Sequence, residues 1–143
     1  MEFKTKFFDE LTTRELYEIL RARETIFLLE QRIVCQDMDR IDLDALHCSL
    51  WEDGELKAYL RAYKTEEGTA KVGRVLSLTH GIGLGTRLME AAIPQIKEKL
   101  SCDLLTIHAQ CHAESFYRLF GFVTTSDVFM EEGVPHVSME LRL

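Results

Sequence analysis

Residues 79–90, THGIGLGTRLME, carry glycine at every second position, Gly81, Gly83 and Gly85, and then run directly into helix-forming sequence. Glycine loses more backbone freedom on folding than any other residue, so this alternation points to a conformation or a close approach that side chains would forbid. The preceding AKVGRVLSL, residues 70–78, reads as a strand. Strand, glycine loop and helix N-terminus together make an anion site, because successive backbone N–H groups converge there and the helix dipole adds positive charge. A Walker loop needs Gly-Lys-Ser/Thr, whereas Gly85 is followed by Thr86 and Arg87. A dinucleotide fingerprint needs GxGxxG, and here the third glycine falls one position early. What remains is an anion loop of another kind, or a glycine-rich turn that holds nothing.

The rest of the chain supplies a frame. FKTKFF, residues 3–8, predicts a first strand. Thr12 with Glu15 forms a capping box and Leu11 with Leu16 a hydrophobic staple, opening a helix that continues through Ile19, Leu20, Arg23 and Phe27. The acidic QDMDRIDLDA reads as a loop. ALHCSLW and LKAYLRAY flank Asp53-Gly54, a strong hairpin signal because both central positions need positive φ. A second turn at Glu66-Glu67-Gly68 leads to the strand before the glycine loop. Residues 84–100 predict a helix with Leu84, Leu88, Ala91, Ala92, Ile96 and Leu100 inward, bent or split at Pro94. DLLTIH, HAESFYRLF and HVSMELRL follow as strand, short helix ended by Gly121, and strand. The order β-α-β-β-β-α-β-α-β predicts an α/β domain over residues 1–143: a mixed sheet with an antiparallel meander and helices on both faces.

A second motif, Gln110-Cys111-His112-Ala113-Glu114-Ser115-Phe116-Tyr117-Arg118-Leu119-Phe120-Gly121-Phe122, follows the fifth predicted strand. With His80-Gly81-Ile82-Gly83-Leu84-Gly85 it resembles the two halves of the acetyl-CoA signature of the GNAT N-acetyltransferases. Further stretches resemble the ElaA-like branch of that superfamily: Arg23-x-x-x-Phe27-x-x-Glu30-Gln31, the run from Gln36 to His47, and Glu132-Gly133-Val134-Pro135-His136. The likeness covers nearly the whole chain. His80 stands where arginine or glutamine is usual, and the stretch between strand and loop is slightly shorter than in most relatives.

The resemblance implies a GNAT-type fold whose two central strands, ending near Ser77 and near His108, splay apart to admit the pantetheine arm of acetyl-CoA. It implies strand-like pairing by Leu76, Ser77 and Leu78, and the diphosphate on residues 81–86 with His80 and Arg87 as helpers. Gln110, Ser115, Tyr117 and Arg118 complete the expected cofactor set. Tyr117 would face the leaving sulfur. A thiol of pKa about 8.5 is a stronger acid than a phenol of about 10, so the tyrosine serves better as a hydrogen-bond donor to the thiolate than as a full proton donor. The attacking amine must lose a proton, since at pH 7 only about one lysine-like amine in a few thousand is neutral. His47, His136 and Glu30 are the candidate bases, each with a structural reading beside the catalytic one.

The expected function is transfer of acetyl from acetyl-CoA to a primary amine of a small molecule or peptide, with a catalytically weak acyl-CoA sensor as the alternative. Net charge −7 with no basic tract argues against nucleic acid, and no apolar run approaches the ~18–20 residues of a membrane span. The cysteines, Cys35, Cys48, Cys102 and Cys111, form no CxxC pair, so a reduced cytoplasmic protein without a metal site is expected. The acidic loop lacks the glycine and glutamate of a calcium loop and reads as an acidic mouth for an amine or as a solvated loop. Exposed strand edges of such folds often pair, which leaves a homodimer open.

Overall fold

The computed structural model describes residues Met1–Leu143. Strands β1 (Glu2–Phe7), β2 (Leu46–Glu52), β3 (Glu55–Glu66) and β4 (Thr69–Ser77) form an antiparallel meander. β5 (Leu104–Gln110) joins β4 in parallel, and β8 (Val134–Arg142) pairs antiparallel with β5. Two short strands absent from the sequence reading, β6 (Val123–Thr124) and β7 (Phe129–Glu131), both pair with β8. The predicted mixed sheet is therefore present, with the order β1-β2-β3-β4-β5-β8-β6.

Local signals act where they were read. Thr12 Oγ1 accepts from the Glu15 amide and Glu15 Oε1 accepts from the Thr12 amide, closing the capping box of α1 (Thr13–Arg23). Lys4 and Lys6 of β1 also bind the Glu15 carboxylate at 2.9 Å, so the cap ties the helix to the edge strand. The Asp53-Gly54 turn takes φ of 52° and 78°. Beyond Arg23 the chain widens into a π-helix, Glu24–Glu30, which periodicity alone did not predict.

Helix α2 (Leu84–Lys99) runs unbroken through Pro94, so the expected split does not occur. Its inward residues are Leu84, Leu88, Met89, Ala92 and Ile96, and Met89 takes the place expected of the half-buried Ala91. The predicted third helix is a 3-10 turn, Cys111–Ala113, followed by α3 (Glu114–Arg118). α2 and α3 cover one face of the sheet in the main core. On the other face α1 and the π-helix bury Ile19, Ala22 and Ile26 against Trp51, Leu56, Tyr59 and Leu76. That second cover reaches β2 to β4 only and leaves the β5–β8 half of the face polar: Thr106, His108, Ser138 and Glu140 are half-buried there.

Candidate active site

β4 and β5 pair only from Thr69↔Leu104 to Val72↔Ile107. Past that rung β4 bulges: Tyr59 faces Leu76 and Arg61 faces Gly73, with the extra residue accommodated at Arg74, whose φ is 52°. A bulge bends its strand and strengthens the local twist. Residues 73–77 thus diverge from β5 and present a strand edge with no partner, so the splay implied by the resemblance is present. A cleft of about 370 Å³ opens there, lined among others by Val75, Leu76, Ser77, Leu84 and Tyr117.

The glycine loop closes one end of this cleft. Gly81 and Gly83 take φ of 80° and 79° with open space where a Cβ would stand, so their requirement is conformational. Gly85 serves packing, since a Cβ there would lie 3.1 Å from Cζ of Phe116. The first helical bond of α2 is Arg87 N–H to the Gly83 carbonyl at 3.1 Å, which leaves the amides of residues 81–86 without an acceptor in the chain. Unpaired amides at the positive end of a helix are a phosphate cradle.

Tyr117 is 6% exposed and lies on the cleft wall between the edges of Phe116 and Phe122. Burial alone pushes its pKa up, with no hydrogen bond among the causes. The phenol therefore stays protonated and has an uncommitted donor facing the cleft.

Of the residues read from sequence as cofactor contacts, Leu76, Ser77, His80, Gly81, Gly83, Leu84, Gly85, Thr86 and Tyr117 line the cleft. Ile82 points outward at 63% exposure. Leu78 falls outside, because its amide donates to the Lys57 carbonyl at 2.9 Å. Ser115 is exposed on α3, and Arg118 is held by Glu114 and Thr124, so neither reaches the cleft. The Arg87 amide is spent in the helix and its side chain is exposed. Gln110 donates to Gln31 Oε1 at 2.9 Å, linking the end of β5 to the residue after the π-helix at the mouth of the cleft.

The three candidate bases separate clearly. His47 does not reach the cleft: it is 1% exposed, with Nδ1 2.7 Å from the Tyr59 hydroxyl and Nε2 2.9 Å from the Asp42 carbonyl. Burial lowers its pKa, and the ring is a neutral structural link. Glu30 sits at the mouth, paired with His80 at 2.9 Å rather than with Arg23 or Arg32. His136 is 7% exposed and donates from Nδ1 to the Val134 carbonyl at 2.7 Å. Its Nε2 faces Glu131 Oε2 at 3.6 Å, on the polar face of the sheet.

That polar face holds a group which sequence reasoning missed. His108 Nδ1 lies 2.8 Å from Glu131 Oε1 and 3.2 Å from Lys71 Nζ, and Phe129 packs edge-on against the His108 ring. Burial works to raise the Glu131 pKa, but the His108 hydrogen bond and the charges of His108, His136 and Lys71 hold it down. Only the even spacing of His108 and Gln110 along a buried strand could have flagged it.

The acidic loop keeps Gln36, Met38, Asp39, Arg40, Leu43 and Asp44 exposed, and three of its aspartates are held by arginines. Arg23 binds Asp37 and Asp42, Arg61 binds Asp39 and Asp42, and Arg74 binds Asp37 and Asp39. Arg23 and Arg61 are 0% and 3% exposed, so this network is the interior fastening of the loop. No group of three His, Cys, Asp or Glu side chains is arranged to hold a metal ion, and no helix is long and apolar enough to cross a membrane.

Free amides at a helix N-terminus thus open onto a splayed strand edge beside an uncommitted phenol. Residues 26–143 match the family model described as an acetyltransferase (GNAT) domain, and the chain belongs to that family. Protein ElaA of Escherichia coli is 32% identical over 145 residues, covering 97% of this chain and 95% of the relative. Its crystal structure superposes with a TM-score of 0.90 at 31% identity, covering 97% of each chain. An acyl-CoA N-acyltransferase from Pseudomonas aeruginosa matches with a TM-score of 0.90 at 36% identity, covering 98% of this chain and 99% of that one. The chain is an acyltransferase of this family, and acyl-CoA is the family's co-substrate.

Proposed function

We propose that residues 1–143 form a single acetyltransferase domain that moves acetyl from acetyl-CoA directly to a primary amine in a ternary complex. The supporting observation is the continuity of three features in one cleft: free amides at residues 81–86, the unpartnered edge of β4, and the Tyr117 phenol. The amides and helix dipole suit the diphosphate. The β4 edge suits the amide groups of pantetheine by strand addition, with Val75, Leu76 and Ser77 in place of the Leu76, Ser77 and Leu78 read from sequence. A backbone N–H on that edge would stabilise the charge developing on the thioester oxygen.

α2 and α3 fill the face on which Tyr117 lies, so the amine enters from the polar face. His108, Glu131 and His136 stand there as the group that takes its proton. Tyr117 then donates a hydrogen bond to the leaving thiolate. The four free cysteine thiols fit a reducing cytoplasmic setting. The acceptor is a small molecule or a peptide end, and the outer edge of β1 offers a surface for pairing into a homodimer.

The test is calorimetric titration with acetyl-CoA, followed by thiol release against a panel of primary amines. Saturable binding with amine-dependent thiol release is expected. Binding without release for any amine supports the sensor alternative, and no binding removes the reading altogether.

A further inference from the structure

The polar face at the splay carries an amine of the chain itself. Lys71 pairs with Thr106 one rung before the β4–β5 ladder ends at Val72↔Ile107. Its side chain bends forward along the strand until Nζ reaches His108 Nδ1 at 3.2 Å, and His108 is the first β5 residue past the last rung. The amine is therefore level with the point where the strands part. The next β4 position on that face is Gly73, where even an added Cβ would meet nothing within 4 Å. The next β4 side chain past Gly73, Arg74, is paired with Asp37 and Asp39.

The surroundings favour a nucleophile. His108 Nδ1 donates to Glu131 Oε1 at 2.8 Å, so passing that proton to the carboxylate frees the Nδ1 lone pair to take one from Nζ. His136 faces the other Glu131 oxygen, and Tyr63 stands opposite Lys71 on β3. Arg61 and Arg74 lie on the same side, each paired with loop aspartates. Burial lowers the Lys71 pKa, Glu131 opposes that, and Arg61 and Arg74 add to it. A lysine whose charged form is disfavoured beside a proton acceptor is an activated amine.

We propose that Lys71 is an internal acceptor: acetyl-CoA bound in the cleft acetylates Lys71 Nζ, with His108 and Glu131 accepting the amine proton. The proposal rests on the acetyl-transfer reading above. His108 passes its Nδ1 proton to Glu131, which releases it to solvent, and the freed Nδ1 takes one proton from the Lys71 ammonium. The Nζ lone pair attacks the thioester carbon, a C–N bond forms and the C–S bond breaks. The second amine proton ends on the departing CoA thiolate, which Tyr117 stabilises meanwhile. The product is an uncharged acetamide at the polar end of the splay, where an ammonium stood.

The test incubates the full chain with acetyl-CoA and follows acetylation by peptide mass spectrometry, with calorimetry run beside it. Lys71 is expected to be modified roughly tenfold or more faster than the exposed Lys64 and Lys97, with a rate that saturates in acetyl-CoA and is independent of protein concentration. His108→Gln should slow it by about tenfold or more while binding is kept, and Lys71→Arg should abolish that modified peptide with binding intact. Measured binding with Lys71 unmodified, or modified no faster than Lys64 and Lys97, overturns the proposal. A rate that rises with protein concentration overturns it too, since transfer would then run between copies. Absent binding instead fells the acetyl-transfer reading, and this one with it.

Discussion

At Tyr117 the geometry separates chemistry from stability. Its hydroxyl bonds nothing in the chain and its ring packs between Phe116 and Phe122. Tyr117→Phe therefore keeps the ring contacts and should change unfolding free energy by less than about 1 kcal/mol. Turnover should fall by at least about tenfold with acetyl-CoA affinity nearly kept, because the lost hydrogen bond strengthens only as sulfur gains charge. Unchanged turnover in a thiol-release assay would remove Tyr117 from the reaction. Gly83→Ala is the complementary case. Nothing obstructs a methyl group there, yet φ is 79°, so the strain of about 1–2 kcal/mol is conformational. A lower unfolding midpoint is expected together with weaker acetyl-CoA binding by calorimetry, as the loop amides turn away.

Among the elements, the loop from residue 31 to 45 depends most on charge. Burial works to raise the Asp39 pKa, and Arg61 outweighs it and holds the carboxyl at about 2. Asp42 is lowered by Arg23 and Arg61 against the same burial cost. Glu15 sits at about 2, where the Thr12 amide and the β1 lysines overcome burial. Each carboxyl titrates near 4 when unfolded, so its contribution is complete above that pH and is lost as pH falls toward 2. His47, with its pKa lowered by burial, acts in the same direction from about pH 6.5 downward, because only the unfolded chain protonates it readily. Stability measured by urea unfolding should thus decline on acidification from pH 7 to pH 3. Asp42→Ala, which strands the buried Arg23 and Arg61, should cost about 3–5 kcal/mol.

The same elements indicate what could be read in advance. The capping box, the Asp53-Gly54 turn and the glycine loop each lie within a few residues, and their chemistry is local. The aspartates of the loop find arginines as far away as Arg74, 37 residues from Asp37, and no pattern within the loop encodes that pairing. His47 reads as a candidate base because it stands at the exit of the acidic stretch in sequence. In space it lies between Tyr59 and a carbonyl. The π-helix and the Arg74 bulge each place one residue more than the regular period allows, and hydrophobic spacing does not register such an insertion. His108 went unnoticed since a lone histidine on a strand has no partner until β7 folds over it.

For the molecule as a whole, the splay sets how the cofactor should be felt. A ligand that binds only the folded chain adds about 2.7 kcal/mol at a hundred times its dissociation constant, which for this size raises the melting temperature by roughly 5–10 °C. A scanning calorimeter should record that rise with acetyl-CoA and a smaller one with a fragment lacking the pantetheine arm. Amide hydrogen exchange should slow along residues 73–77, where the β4 edge has no partner, and along the glycine loop. Equal protection over the whole sheet would indicate binding elsewhere.

Four rungs, Thr69 to Val72 against Leu104 to Ile107, are all that join the meander to the last strands. The sheet is in effect a plate with a crack running in from one side, and strain concentrates at the tip of a crack. A guest molecule lying along one lip would act as a suture, so the proposed loading and release of a carrier there should tighten and slacken two leaves that the backbone itself leaves half unsewn.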